Sequence, residues 1–253
     1  MIFDLQKASL LKRGSAWLFD AILLVILVVG FALILSAVTG YDGCSAALDE
    51  VYARCAAEYG VRFDVTYDEY AALDEEALAA YEAAYAALSA DAAAMHAYSM
   101  LLNLTLVITT ISILLGYLVL EFAVPLLFGN GQTLGKKIFG VALMRTDGVR
   151  LSTFQLFVRT ILGKYTIETM IPVLIAIMLY FGSVGLVGLA VLGAIALLQI
   201  ILLAATKTNS LIHDLLAATV AVDMASQMIF SGTEEMIEYK KKAHAEQVAR
   251  QIY

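Results

Sequence analysis

The sequence predicts an all-α membrane protein with four transmembrane helices, a cytoplasmic hairpin and interfacial helix, and a helical acidic extracytoplasmic insertion. Three observations lead there. Of 253 residues, 61% are hydrophobic and 15% charged, which is far too apolar for a soluble domain of this length. The apolar residues gather into three long blocks. The lysines and arginines then fall almost wholly on one side of the membrane once those blocks are threaded through it.

The first block, Trp17–Val38, follows a short N-terminal segment and exceeds the roughly 20 residues needed to cross hydrocarbon, so residues 1–38 form the N-terminal segment and first span. The second span lies within residues 100–128, with Pro125 near its end. The third block, residues 167–205, would be about 58 Å long as one helix, nearly twice the core thickness. It is expected to fold back at Gly182-Ser183-Val184-Gly185, because clustered glycines break helices. Four crossings place residues 129–166 and 206–253 with the N-terminus. Lys and Arg then number three, six and five in the inner segments (N-terminal, middle and tail) against two, Arg54 and Arg62, outside. Both termini are therefore expected in the cytoplasm of a cell-membrane protein. Trp17–Val38 greatly exceeds a signal h-region and contains Asp20, so it reads as a retained span and not as a cleaved signal.

Residues 39–99 hold twelve Asp or Glu and two Arg among alanines and tyrosines. That composition predicts no useful core of its own. Asp68–Met95 is rich in strong helix formers and is expected to extend the second span outward as a stalk, whose acidic face suits cations or a basic partner. Cys44 and Cys55, the only cysteines, both lie here. An even pair outside the reducing cytosol predicts a disulfide, with two free thiols as the alternative; without a nearby histidine they make an incomplete metal set.

In the inner segments, GNGQTLGKKIFG at Gly129–Gly140 invites comparison with a phosphate loop and fails it. Asn130 stands where a glycine is required and Lys137 where Ser or Thr is required. Asp147-Gly148 between two apolar runs predicts a hairpin turn. Ser152 with Gln155 forms a capping box opening an amphipathic helix, with Phe154, Phe157, Ile161 and Leu162 on its apolar side and Arg159 and Lys164 opposite. Such a helix would lie in the interface, its basic face on anionic lipids. Thr233 opens a short tail helix. No zinc motif, hydrolase triad or dinucleotide fingerprint occurs, so an enzyme, a metal site, an organic cofactor and nucleic-acid binding are not expected. The bilayer is the expected partner, together with a second copy or a protein docked on the inner segments.

The charges within the apolar blocks are the candidate site. An ionised side chain in a span costs about 2.5–3.5 kcal/mol even on the lenient scale, so each needs a partner. Asp20 lies seven residues after Arg13, on one helical face about 10 Å along the axis. Asp214 and Arg159 return to the same membrane surface, and Glu121 and Glu168 are further intramembrane carboxylates. The adjacent His213 and Asp214 point different ways and are not expected to act as a unit.

Arg13 ahead of a span, Asp20 within it, GQTLGKKIFGVALMRTDG at Gly131–Gly148, Arg159, and LIHDLLAATVAV at Leu211–Val222 together resemble the RDD family of membrane proteins. The resemblance spans the chain apart from the exterior insertion and the tail. It implies that the name-giving arginine and two aspartates are Arg13, Asp20 and Asp214. It implies little about activity, because the family is usually described as of unknown function, with transport, including sodium/proton antiport, proposed for some members. Two readings follow. In one, Arg13, Asp20, Asp214 and Arg159 form a charge cluster that clamps the first span to the inner segments and supports a membrane scaffold. In the other, Asp20 serves a cation/proton antiporter or another small-solute transporter.

Overall fold

The computed structural model describes residues 5–180 and 182–252, and the side chains of most of them up to Val248. Four helices among these residues are long and apolar enough to cross a membrane: α1 (Leu10–Thr39), α5 (Ala92–Phe128), α7 (Thr153–Tyr180) and α8 (Gly185–Ala205). Between α1 and α5 lie α2 (Tyr41–Tyr59), α3 (Tyr67–Ala71) and α4 (Glu75–Ala90). Between α5 and α7 come α6 (Leu134–Ile138) and β1 (Val141–Arg145). After α8 follow α9 (Ile212–Leu216), β2 (Thr219–Asp223) and α10 (Thr233–Ile252). The chain divides into two units, Val29–Ser112 and the remainder, Met1–Val28 with Ile113–Tyr253.

The Val29–Ser112 unit departs from the expected stalk in two ways. Asp91 interrupts the helix: its carboxylate accepts from the amides of Ala93 and Ala94, so it ends α4 and caps α5. The unit also has a core. Val51 and Cys55 of α2 pack with Ala84 and Leu88 of α4, and Phe63 meets Tyr52 edge-on at 5.2 Å between ring centroids. Alanine suffices because its small side chain lets two helices approach closely, so a sequence poor in large aliphatics still excludes water from one seam.

The expected disulfide is corrected as well. Cys44 and Cys55 are both free, and Cys55 donates its thiol hydrogen to the carbonyl of Ala84 at 3.3 Å. Both cysteines belong to the one helix α2. Eleven residues at 1.5 Å rise separate them by about 16 Å, far beyond the roughly 7 Å limit for a disulfide.

In the other unit β1 pairs antiparallel with β2, in register Val141↔Asp223 through Arg145↔Thr219. The chain is thus mostly helical rather than all-α. The expected hairpin exists only as a tight turn, in which Gly148 bonds back to Arg145 and a single bridge joins Met144 to Arg150. The N-terminal segment lines the other edge of β2, the amide of Ala8 donating to Ala221. Alternation sorts the strand side chains into Val141, Leu143 and Ala221 on one face and Ala142, Met144, Val220 and Val222 on the other, all buried. Both faces of this small sheet are therefore covered.

The largest correction concerns the amphipathic helix. Its capping box is present, with Ser152 and Gln155 each accepting from the other's backbone amide. The helix does not stop before a separate span; it continues through Pro172 as α7. Its polarity is inverted relative to the interfacial reading. Arg159 is 3% exposed, whereas Phe154 is 74% exposed. The apolar side faces outward and the charged side faces the protein, which is the arrangement a span needs.

Candidate functional site

The spans carry their inward charges on unusual backbone. Leu118–Ala123 of α5 and Val158–Met170 of α7 are π-helical, and they hold Glu121, Arg159, Lys164 and Glu168. In an α-helix, residues five apart point about 140° away from each other. Widening each turn by one residue brings Arg159, Lys164 and Glu168 onto one side, and that side faces the protein instead of lipid head groups. π turns are uncommon and recur at functional sites.

Asp214 is one centre of the site and has no exposed surface. One carboxylate oxygen accepts from Arg159 at 2.6 Å, and the other from Arg13 at 3.3 Å. The same Oδ2 also accepts from the amide of Leu211, and Thr219 lies against Oδ1. Burial alone would raise its pKa; the guanidinium of Arg159, helped by His213 and Arg13, more than offsets this and holds the carboxyl well below the usual range. Arg13 also donates to the carbonyl of Asn209, a residue in left-handed backbone that presents this oxygen inward.

Asp20 forms a second centre with different partners. Among the described residues its bonds are with the Thr133 hydroxyl and, at 2.8 Å, with the amide of Gly135. Lys136 stands 4.0 Å away. Arg13 bonds Asp214 and Asn209, so these two charges of α1 make two separate attachments. The reason lies in α6, the stretch that failed as a phosphate loop. It offers the first-turn amide of Gly135 to a carboxylate of its own chain, and an anion suits a helix N-terminus. Gly135 permits the approach: a β-carbon there would lie 2.4 Å from the carbonyl oxygen of Ala16 and 2.9 Å from the Asp20 carboxylate carbon. Ala16 and Asp20 are accordingly the buried residues of α1.

Glu121 lies between Lys136, at 3.4 Å, and Lys164, to which it is hydrogen-bonded. Lys136 is lowered to about 8 by burial, reinforced by the charges of Lys164 and Arg159 and opposed by Glu121 and Asp20. Glu168 accepts from the Nδ1 and the backbone amide of His213 at 2.7 and 3.0 Å. His213 Nε2 stands 3.6 Å from Asp214, so these neighbours do converge on one group. Burial and the nearby Arg159 push the imidazole below its ordinary pKa, which suits a neutral ring donating Nδ1–H to Glu168. The short helix α9 reaches this position because Gly163 opposes it; a β-carbon at 163 would lie 2.5 Å from that of His213.

All the candidate charges therefore gather in one unit. Sequence reading missed Thr133, Gly135, Lys136, Lys164 and His213 as their partners. The signal available was the run of polar and small residues at Gln132–Lys137, tested only as a phosphate loop, and the lysine on α7, read as facing lipid head groups.

The sequence model of the RDD family matches residues 7–218. The chain belongs to the RDD family. The match reaches from the segment beside β2 to the last residue before it, and so includes Arg13, Asp20, Arg159 and Asp214. No curated protein and no solved structure matches the chain. With four apolar helices, this RDD protein is a multi-pass membrane protein.

Proposed function

We propose that this RDD protein is a non-enzymatic membrane scaffold whose Arg/Asp group clamps the first span to the segments after the last one, with both termini in the cytoplasm. One observation carries the reading: a carboxylate with no exposed surface, Asp214, receives guanidinium groups from two different apolar helices, α1 and α7. Such an ion pair is costly to desolvate and strongly destabilising to break, which is the behaviour of a specificity clamp. Asp20 fastens the same helix to α6 through a hydroxyl and an amide. The sheet β1–β2, covered on both faces, then offers its surroundings as a platform for partners.

A second reading is cation/proton exchange. It is favoured by the meeting of Asp20, Glu121, Glu168 and Lys136 on one cavity wall, with Lys136 able to lose its proton near neutrality. Asp20 would then alternate between protonated and ion-bound forms. Purified protein in vesicles containing a pH-sensitive dye separates the readings. Sodium-dependent internal alkalinisation that disappears in Asp20→Asn supports exchange. A silent parent protein, with Arg13→Ala reduced in folded yield, supports the clamp. A silent parent together with unaltered yield and melting in Arg13→Ala removes both.

A further inference from the structure

A cavity of ≈ 570 Å³ lies against the charged group, within the unit that contains it. That size is typical of small-ligand sites. One side is apolar and belongs to α1, including Leu10, Trp17, Leu24 and Val25. The lining also includes Arg13, Lys136, Arg159 and Lys164 with the carboxylates of Asp20, Glu121 and Glu168.

The apolar side is unusual in where it leads. Leu10, Trp17 and Val25 line the cavity, yet they are 55%, 67% and 61% exposed. They belong to a helix whose most apolar window is buried nowhere in the chain. The cavity is therefore bounded by side chains that are also exposed on the outer surface of α1. The charged side has unused capacity. Arg159 donates Nε to Thr219 and one Nη to Asp214; its other Nη has no hydrogen-bond partner among the described residues, although the side chain is almost fully buried. Four cations face three carboxylates on the lining, and the fourth carboxylate, Asp214, sits behind Arg13 and Arg159. A guanidinium with a free edge in a poorly solvated site is a strong phosphate donor.

The geometry points to a lipid site: the cavity takes the anionic phosphate head group of a membrane phospholipid against Arg159 and Lys164, with an acyl chain laid along Trp17 of α1. This goes beyond the clamp and does not depend on ion exchange. An acyl chain gains little by leaving other chains for an apolar helix, since lipid is as apolar as leucine. Selectivity therefore comes from the head group, and binding follows head-group charge more than chain length.

Trp17 is the only tryptophan in the chain and lines the cavity, so a difference in its quenching between two lipids of the same acyl chains reads this site. The full chain in a neutral detergent is titrated with phosphatidylglycerol brominated on its acyl chains, and separately with brominated phosphatidylcholine. The expected result is saturable quenching of Trp17 by the anionic lipid at concentrations where the zwitterionic one has little effect. Lys164→Gln leaves Glu121 paired with Lys136, and is expected to retain the elution volume of the parent while weakening the response about tenfold, the loss of one charged hydrogen bond. Superimposable curves for the two lipids overturn the proposal, and this comparison needs only the parent protein. Displacement by millimolar glycerol phosphate would assign the site to a free anion rather than a lipid and also overturn it, as would a dimer by light scattering whose Trp17 is indifferent to both lipids. The clamp is judged by melting of a different variant, so the two ideas fail independently.

Discussion

Asp214→Asn removes one charge and almost no volume, and its cost follows from the surroundings of the side chain. The carboxylate has no exposed surface, and guanidinium groups lie on both of its oxygens at 2.6 and 3.3 Å. The amide keeps an acceptor but leaves Arg159 and Arg13 facing each other without a counter-charge. Breaking a buried pair in this way costs about 3–5 kcal/mol, and the retained acceptor places the change near the lower value. For a chain of this length about 2–4 °C of melting temperature corresponds to each kcal/mol, so a fall of about 6–12 °C is expected. The assay is thermal unfolding of detergent-solubilised protein followed by tyrosine and tryptophan emission, with elution profile as a fold check. Arg159→Gln in the Asp214→Asn background should then cost far less than it does alone, because the charge it removes is already unpaired. An Asp214→Asn protein melting within about 2 °C of the parent, or fully additive effects in the double variant, would refute the reasoning.

Gly135→Ala is expected to separate α6 from α1, because its β-carbon overlaps the Ala16 carbonyl, and overpacking of this kind costs about 1–3 kcal/mol; folded yield and melting temperature check this. Acidification should destabilise the protein below about pH 6.5. His213 has a folded pKa beneath its unfolded one, so its contribution is present above the unfolded value and is lost as pH falls and the unfolded chain takes up the proton. Melting temperature measured across pH 5–8 should show that slope, and His213→Gln should flatten it. Cys44 and Cys55 should both react with maleimide in the unfolded, unreduced protein, and in the native protein Cys44 should react faster because Cys55 is buried; a mass showing two fewer hydrogens would contradict the free thiols.

Much of the architecture is a local property of the chain. Twenty or so apolar residues in a row specify a span wherever they occur, and the glycine cluster after Tyr180 ends one helix and starts the next at Gly185. The Ser152 capping box and the start of α10 at Thr233 are equally local, since a cap involves only residues three or four apart. The order of the RDD segments was also legible, and the family match covers Arg13, Asp20 and Asp214.

Tertiary structure decided who pairs with whom. Asp20 meets Thr133 and Gly135 across more than a hundred residues, and Arg13 meets Asp214 across about two hundred. No periodicity encodes those distances. Helical spacing set Arg159 and Lys164 opposite the apolar side of α7 but could not say that this side faces the protein, because that depends on the partners Asp214 and Glu121 that other elements bring. The cysteines misled for the opposite reason: alanine-rich α2 and α4 found a seam to bury, and a continuous helix holds its own cysteines too far apart to join. Composition fixed that this chain enters a membrane; the placement of α6, α7 and α9 beside one face of α1 decided which partners its charges meet.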